Sequence, residues 1–165
     1  DLINHLNQVG GRHGMGRIDQ LEDRIVGFKS REVYEAPAAT ILITAHKDLE
    51  KVVLTRHELY FKELVDNEWS RLVYSGLWVD PLRIDLEAFI NKANERVTGS
   101  VKLKLFKGGL RVVARKAKRS LYEHKLATYG RSSFDQKLAY GFIELWTLQS
   151  VTAFKKVNSN DLLSG

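Results

Sequence analysis

The sequence predicts an α+β fold: helices packed on a small antiparallel β-sheet with a basic hairpin, plus a C-terminal helical extension. Three observations carry this prediction. Apolar residues recur at three-and-four spacing through residues 37–99 behind clear helix-start signals. Residues 101–113 alternate apolar side chains with lysine around the pair Gly108-Gly109. The last third returns to helical spacing and is rich in Leu, Phe and Trp. No repeat, low-complexity tract or Ser/Gly linker divides the chain.

Leu2, Ile3 and Leu6 open the chain at helical spacing directly after Asp1, which reads as a piece of something longer. Gly10, Gly11, Gly14 and Gly16 follow within seven positions, so this segment is expected to be a loop rather than helix. Charges interrupt residues 18–34, and Ile25, Val26 and Phe28 form the one dense apolar patch, predicting a short strand over 24–28. Pro37 suits a first helical turn, and Leu42, Ala45, Leu49, Val52 and Val53 continue it.

Thr55 and Glu58 have the spacing of a capping box, after which Leu59, Tyr60, Leu64, Leu72 and Val73 extend an amphipathic helix that Gly76 can end. Asp80-Pro81 supplies an N-cap and a first-turn proline, and Leu82, Leu86, Phe89, Ile90 and Ala93 line one face before Gly99. The basic hairpin comes next, then a loop over 120–133. Leu138, Phe142, Leu145, Trp146 and Phe154 predict one or two helices over 134–157, with Gly141 as a break or packing notch. So apolar a terminal helix is expected to exceed what its own core can cover and to bind another subunit, the alternative being that it folds back on its own domain.

At 165 residues the chain is long enough for one stable core. It has no cysteine, which excludes disulfides, thiolate metal sites and a cysteine nucleophile, and its N-terminus lacks a basic-then-apolar signal. Its apolar runs are far shorter than the roughly 20 residues that cross a bilayer. Together these predict a cytoplasmic protein. The net charge is +6, but residues 101–125 alone carry +8, with only Glu123 opposing nine cations. Such clustering suits either a solvated strand face or a polyanion, and a nucleic-acid-binding module using this hairpin, with Phe106 stacking a base, is the alternative reading.

The glycine-rich segment has the composition of a phosphate cradle, with Arg12 and Arg17 beside it, but neither G-x-G-x-x-G nor the P-loop spacing fits, so a tight structural turn is expected. His5, His13, His46, His57 and His124 share no metal-ligand spacing, and no metal site or catalytic triad is predicted. His13 could act near a ligand. The densest ionisable region comprises Asp19, Glu22, Asp23, Arg24, Lys29, Arg31, Glu32, Tyr34 and Glu35. That mixture suits a zwitterion such as an amino acid, whose ammonium needs carboxylate and whose carboxylate needs hydroxyl or cation. Composition does not single out Glu22 or Tyr34 within it.

The order Gly11-Arg12-His13-Gly14-Met15-Gly16-Arg17-Ile18-Asp19, then Glu22-Asp23-Arg24 and Lys29-Ser30-Arg31-x-Val33-Tyr34-Glu35-x-Pro37, resembles the argininosuccinate synthase family. The likeness continues through Val97-Thr98-Gly99, the hairpin, Ser120-Leu121-Tyr122 and Asp135-Gln136-x-x-Ala139-x-Gly141-Phe142-Ile143. It departs from the commoner pattern at Glu32, Ala36 and Ala38-Ala39. The resemblance implies the C-terminal part of a ligase that joins citrulline to aspartate. ATP, with magnesium, would be co-substrate, held mainly by an N-terminal nucleotide-binding domain that this chain lacks. It further implies that Glu22 and Tyr34 contact citrulline and that no catalytic residue lies in this piece. Residues 1–131 would then belong to the citrulline-binding synthetase domain, and residues 132–165 would form a multimerisation helix and tail that builds a homotetramer.

Overall fold

The computed structural model describes residues 1–127 and 135–161, with the backbone alone for 159–161. In chain order the elements are α1 (Leu2–Arg12), β1 (Arg17–Asp23), β2 (Lys29–Glu35), α2 (Pro37–Val53), α3 (Arg56–Tyr74), α4 (Pro81–Asn94), β3 (Gly99–Phe106), β4 (Gly109–Ala117), α5 (His124–Ala127) and α6 (Leu138–Asp161). The strands form two separate antiparallel hairpins, β1-β2 and β3-β4. This is the expected α+β arrangement. The chain divides into two compact units, Asp1–Leu121 and Tyr122–Gly165.

In the first unit α2 is the central element, packing against α1 and against β3 and β4, while α3 packs on α4. Ala38, Ile41, Leu49 and Val53 lie on one helical stripe of α2 and are all buried. Met15, Leu54, Val65, Leu72 and Ala93 complete the apolar core. Burying each larger side chain contributes about 1.5–3 kcal/mol. Alternation on the β3-β4 hairpin directs Val101, Leu103, Leu105, Leu110 and Val112 to its less exposed face and Lys102, Lys104 and Arg111 to solvent. Phe61 and Phe89 join α3 to α4 edge to face, with centroids 5.3 Å apart.

The helix starts follow their local chemistry. Asp1 and Asp80 accept from the Ile3 and Leu82 amides, at 2.9 and 2.8 Å. Thr55 and Glu58 form the full capping box. Three expectations are corrected. Gly10 and Gly11 are helical, since α1 runs to Arg12, and a side chain on Gly10 would collide with Pro37 Cβ at 2.7 Å. The glycine serves close helix packing, and the loop begins only at His13. Residues 24–28 are a turn rather than a strand, closed by Gly27 N–H donating to Arg24 C=O at 2.8 Å. Its flanks, too charged to read as strands, pair with each other instead. α4 ends at Asn94, leaving Gly99 to begin β3 beneath Leu49.

In the second unit the single-helix alternative holds. Residues 138–161 form one continuous helix through Gly141, where a single glycine costs about 1 kcal/mol without breaking the hydrogen-bond ladder. Phe142 and Trp146 stack one turn apart, with centroids 5.4 Å apart. Leu138, Tyr140, Leu145 and Trp146 are each at least 70% exposed. Within the expected loop over 120–133, residues 124–127 form a short helix, and 128–133 lie outside the described residues.

Candidate functional site

The β1-β2 hairpin sorts the ionisable cluster by strand alternation. Register pairs Glu22 with Ser30, Gln20 with Glu32 and Ile18 with Tyr34, so these six residues share one face. On the other face Arg17 pairs with Glu35, Asp23 with Lys29 and Asp19 with Arg31, at 3.1, 2.7 and 2.5 Å. The Arg31 guanidinium beside Asp19 holds that carboxyl below its ordinary value. Four members of the expected zwitterion cluster are thereby engaged with one another, and Glu35 with Arg17, away from Glu22 and Tyr34.

On the first face the Tyr34 hydroxyl donates to Glu22 Oε1 at 2.8 Å. The Glu22 side chain keeps 15% of its exposure and Tyr34 keeps 41%, so the pair lies at the surface rather than in the core. The Tyr34 phenol is held above its ordinary value, first by donating to Glu22, then by desolvation and by the charges of Glu22 and Glu32; Arg24 opposes them. It therefore remains a proton donor at neutral pH. The phenol's lone pairs and the rest of the carboxylate form an acceptor pair suited to an ammonium.

Arg24, in the turn, reaches back over this face. Its guanidinium donates to Glu32 Oε1 at 2.7 Å and lies 3.8 Å from Glu22 Oε1. The hairpin is fastened at both ends. Ala36 N–H donates to Gly16 C=O at 2.8 Å, and the Tyr74 hydroxyl, at the end of α3, donates to Asp23 C=O at 3.2 Å. Pro37 then starts α2, whose first turn is fixed by Asn7 Oδ1 accepting from the Ala38 amide at 3.0 Å. Tyr34 is thus held three residues ahead of the most buried helix of the unit.

The glycine turn is a structural joint. The His13, Gly14 and Met15 amides donate to Gly10 or Gly11 carbonyls, and the Gly108 amide donates to His13 C=O. Those amides are not available to cradle phosphate, in agreement with the spacing argument. His46 Nε2 sits 3.1 Å from Glu50 Oε1. Among the described residues no three of His, Asp and Glu gather as a metal ion would require, and no helix is long and apolar enough to cross a membrane. On the basic hairpin Arg115 is engaged with Asp48 at 2.6 Å, and the Lys107 ammonium lies over the Phe106 ring.

Sequence reasoning missed Ser30, whose Oγ is buried opposite Glu22 with no hydrogen-bond partner, and it missed that Arg24 and Glu32 join Glu22 and Tyr34 on one face. The signal emerges only once the two strands are known. Reading 17–23 and 29–35 as strands closed by Gly27 places these residues together by period-2 alternation alone.

The family model for the argininosuccinate synthase C-terminal domain matches residues 1–153. The chain is 57% identical over 159 residues to the argininosuccinate synthase of Pyrococcus furiosus, covering 96% of this chain and 39% of that protein. It is 53% identical over 151 residues to the enzyme of Methanocaldococcus jannaschii, covering 92% and 38%. With the enzyme of Synechococcus elongatus it shares 53% identity over 146 residues, covering 88% and 36%. The chain thus spans about two fifths of the length of these relatives. The matches give the nucleic-acid alternative no support.

Proposed function

The chain belongs to the argininosuccinate synthase family, matching its C-terminal domain, and from this premise we propose that it supplies the citrulline contacts of the ATP-dependent ligase that makes argininosuccinate. In this reading Glu22 and Tyr34 hold the amino-acid end of citrulline. The carboxylate takes the α-ammonium, the phenol fixes the carboxylate's orientation, and the ureido group is left pointing outward. The observation that carries the reading is the 2.8 Å hydrogen bond between the two residues on an exposed hairpin face.

The reaction proceeds in two displacements. The ureido oxygen attacks the α-phosphorus of ATP and pyrophosphate leaves; the aspartate amine then attacks the ureido carbon, loses a proton and expels AMP. In this reading ATP, with magnesium, is held mainly by an N-terminal nucleotide-binding domain; the glycine turn at 13–16 engages the His13, Gly14 and Met15 amides internally. The residues of this chain position citrulline and transfer no proton in either step.

Residues 1–131 form the citrulline-binding part and residues 132–165 the multimerisation segment, and α6 joins subunits into a homotetramer. The exposed Leu138, Tyr140, Leu145 and Trp146 support that role. We place the enzyme in the cytoplasm, a reading supported by this chain containing no cysteine; recovery in a membrane or extracellular fraction on cell fractionation would contradict this.

The test of the site is citrulline kinetics on the full-length enzyme carrying Glu22→Gln or Tyr34→Phe. Losing a charge-assisted contact should lower kcat/KM for citrulline by roughly ten-fold to over a hundred-fold, chiefly through KM. Unchanged citrulline KM in both variants overturns the assignment.

A further inference from the structure

We propose that Glu32 is a positioning residue for the ammonium-binding face: by holding the Arg24 guanidinium, it keeps that cation from neutralising Glu22 and leaves the face a net negative charge. The inference rests on the amino-acid-binding reading above and deepens it.

Three charged side chains meet on this face. Arg24 makes a hydrogen bond of 2.7 Å to Glu32 but only a looser 3.8 Å ion contact to Glu22. Two carboxylates and one guanidinium leave a charge of about −1, concentrated on Glu22 because Glu32 has the closer hold on the cation. The Arg24 side chain is 44% exposed, so packing leaves it room to swing. Without Glu32 it can close the remaining gap on Glu22 and form the charge-assisted pair itself. An incoming ammonium would then meet a neutral pair and have to displace a guanidinium.

The Glu22–Tyr34 hydrogen bond adds to this coupling. Glu22, Glu32 and Arg24 all act on the Tyr34 hydroxyl, the two carboxylates in one direction and the guanidinium in the other. A change in which carboxylate holds Arg24 is therefore felt by both citrulline contacts.

The test is steady-state kinetics for citrulline on the full-length enzyme, with thermal melting as a folding control. Glu32→Gln should raise citrulline KM by about five- to thirty-fold with little change in kcat. Glu32→Asp, which keeps the charge, should stay within about two-fold of the parent. Arg24→Gln should leave KM unchanged or lower it. The decisive variant combines Arg24→Gln with Glu32→Gln: with the competing cation also gone, KM should return to near the parent value. If the double variant is as impaired as Glu32→Gln alone, Glu32 acts through packing and the inference is overturned. An unaltered KM in Glu32→Gln also overturns it, whereas the ligand reading itself fails only if Glu22→Gln and Tyr34→Phe, run in parallel, both leave KM unchanged.

Discussion

The Lys62 ammonium on α3 lies 3.0 Å from Glu50 Oε1 on α2, and both residues are 5% exposed. Lys62 also donates to both oxygens of Asp66, at 2.8 and 2.7 Å, while His46 Nε2 approaches Glu50 Oε1 at 3.1 Å. Burial lowers the affinity of Lys62 for its proton, but its hydrogen bonds to Asp66 and the adjacent Glu50 carboxylate outweigh it and hold the ammonium above its ordinary range. Lys62 lies on the same helical face as the buried Val65 and Leu72, so a charged network fixes how α3 meets α2.

Lys62→Met should therefore destabilise the protein by about 3–5 kcal/mol, because it strands the Glu50 charge away from water. Adding Glu50→Gln should recover a large share of that loss. Chemical denaturation of the single and double variants measures both, and additive losses would contradict the coupling.

Two glycines in the same turn should respond differently to alanine. Gly16 has φ +74 and a Cβ there would lie 2.5 Å from the Ala36 carbonyl carbon and Pro37 nitrogen, so Gly16→Ala should cost about 3 kcal/mol or more. Gly14 has φ +70 but open space around it, so Gly14→Ala should cost only about 1–2 kcal/mol. Equal melting temperatures for the two variants would refute the distinction.

Acid should weaken the start of α3. Glu58 is depressed from 4.5 to about 2, chiefly by the Arg96 guanidinium and then by the Thr55 amide. A depressed carboxyl contributes stability that is complete above 4.5 and is lost as pH falls toward 2. The pair is partly solvated, so the contribution is about 1 kcal/mol or less. Glu58→Gln should flatten the melting-temperature profile in that window, and an unchanged slope would exclude the pair as its source.

The proposed role of α6 in joining subunits predicts that charged substitutions on it dissociate them. Leu145→Glu combined with Leu148→Glu places two carboxylates one turn apart on an exposed apolar helix. Sedimentation of the full-length enzyme should show smaller species than the parent at the same concentration. An unchanged mass would place the subunit contacts elsewhere.

Helix positions were legible wherever local chemistry decides them. Thr55 with Glu58, and Asp80 with Pro81, mark the starts of α3 and α4 because caps act within one turn. The β3-β4 hairpin was legible from alternation and its glycine pair. The β1-β2 hairpin was not: charges occupy both of its faces, so no apolar alternation reveals it, and its one apolar patch, Ile25, Val26 and Phe28, lies at the turn and is exposed. Gly10 reads as loop in isolation, yet it lies within α1, and it is glycine there because Pro37, 27 residues later, occupies the space that a side chain would fill.

The order of residues alone determined the α+β class, the three central helices, the charge excess over 101–125 and, through the quoted motifs, the family. Folding decided that Tyr34 touches Glu22, that Arg24 is held by Glu32, and that Lys62 and Glu50 share the interior. The division has a physical cause. Caps, turns and periodicity act over a few neighbouring residues, whereas a contact 12 positions apart exists only once two strands have paired in one register, since a slip of one residue would turn Glu22 and Tyr34 to opposite sides of the hairpin.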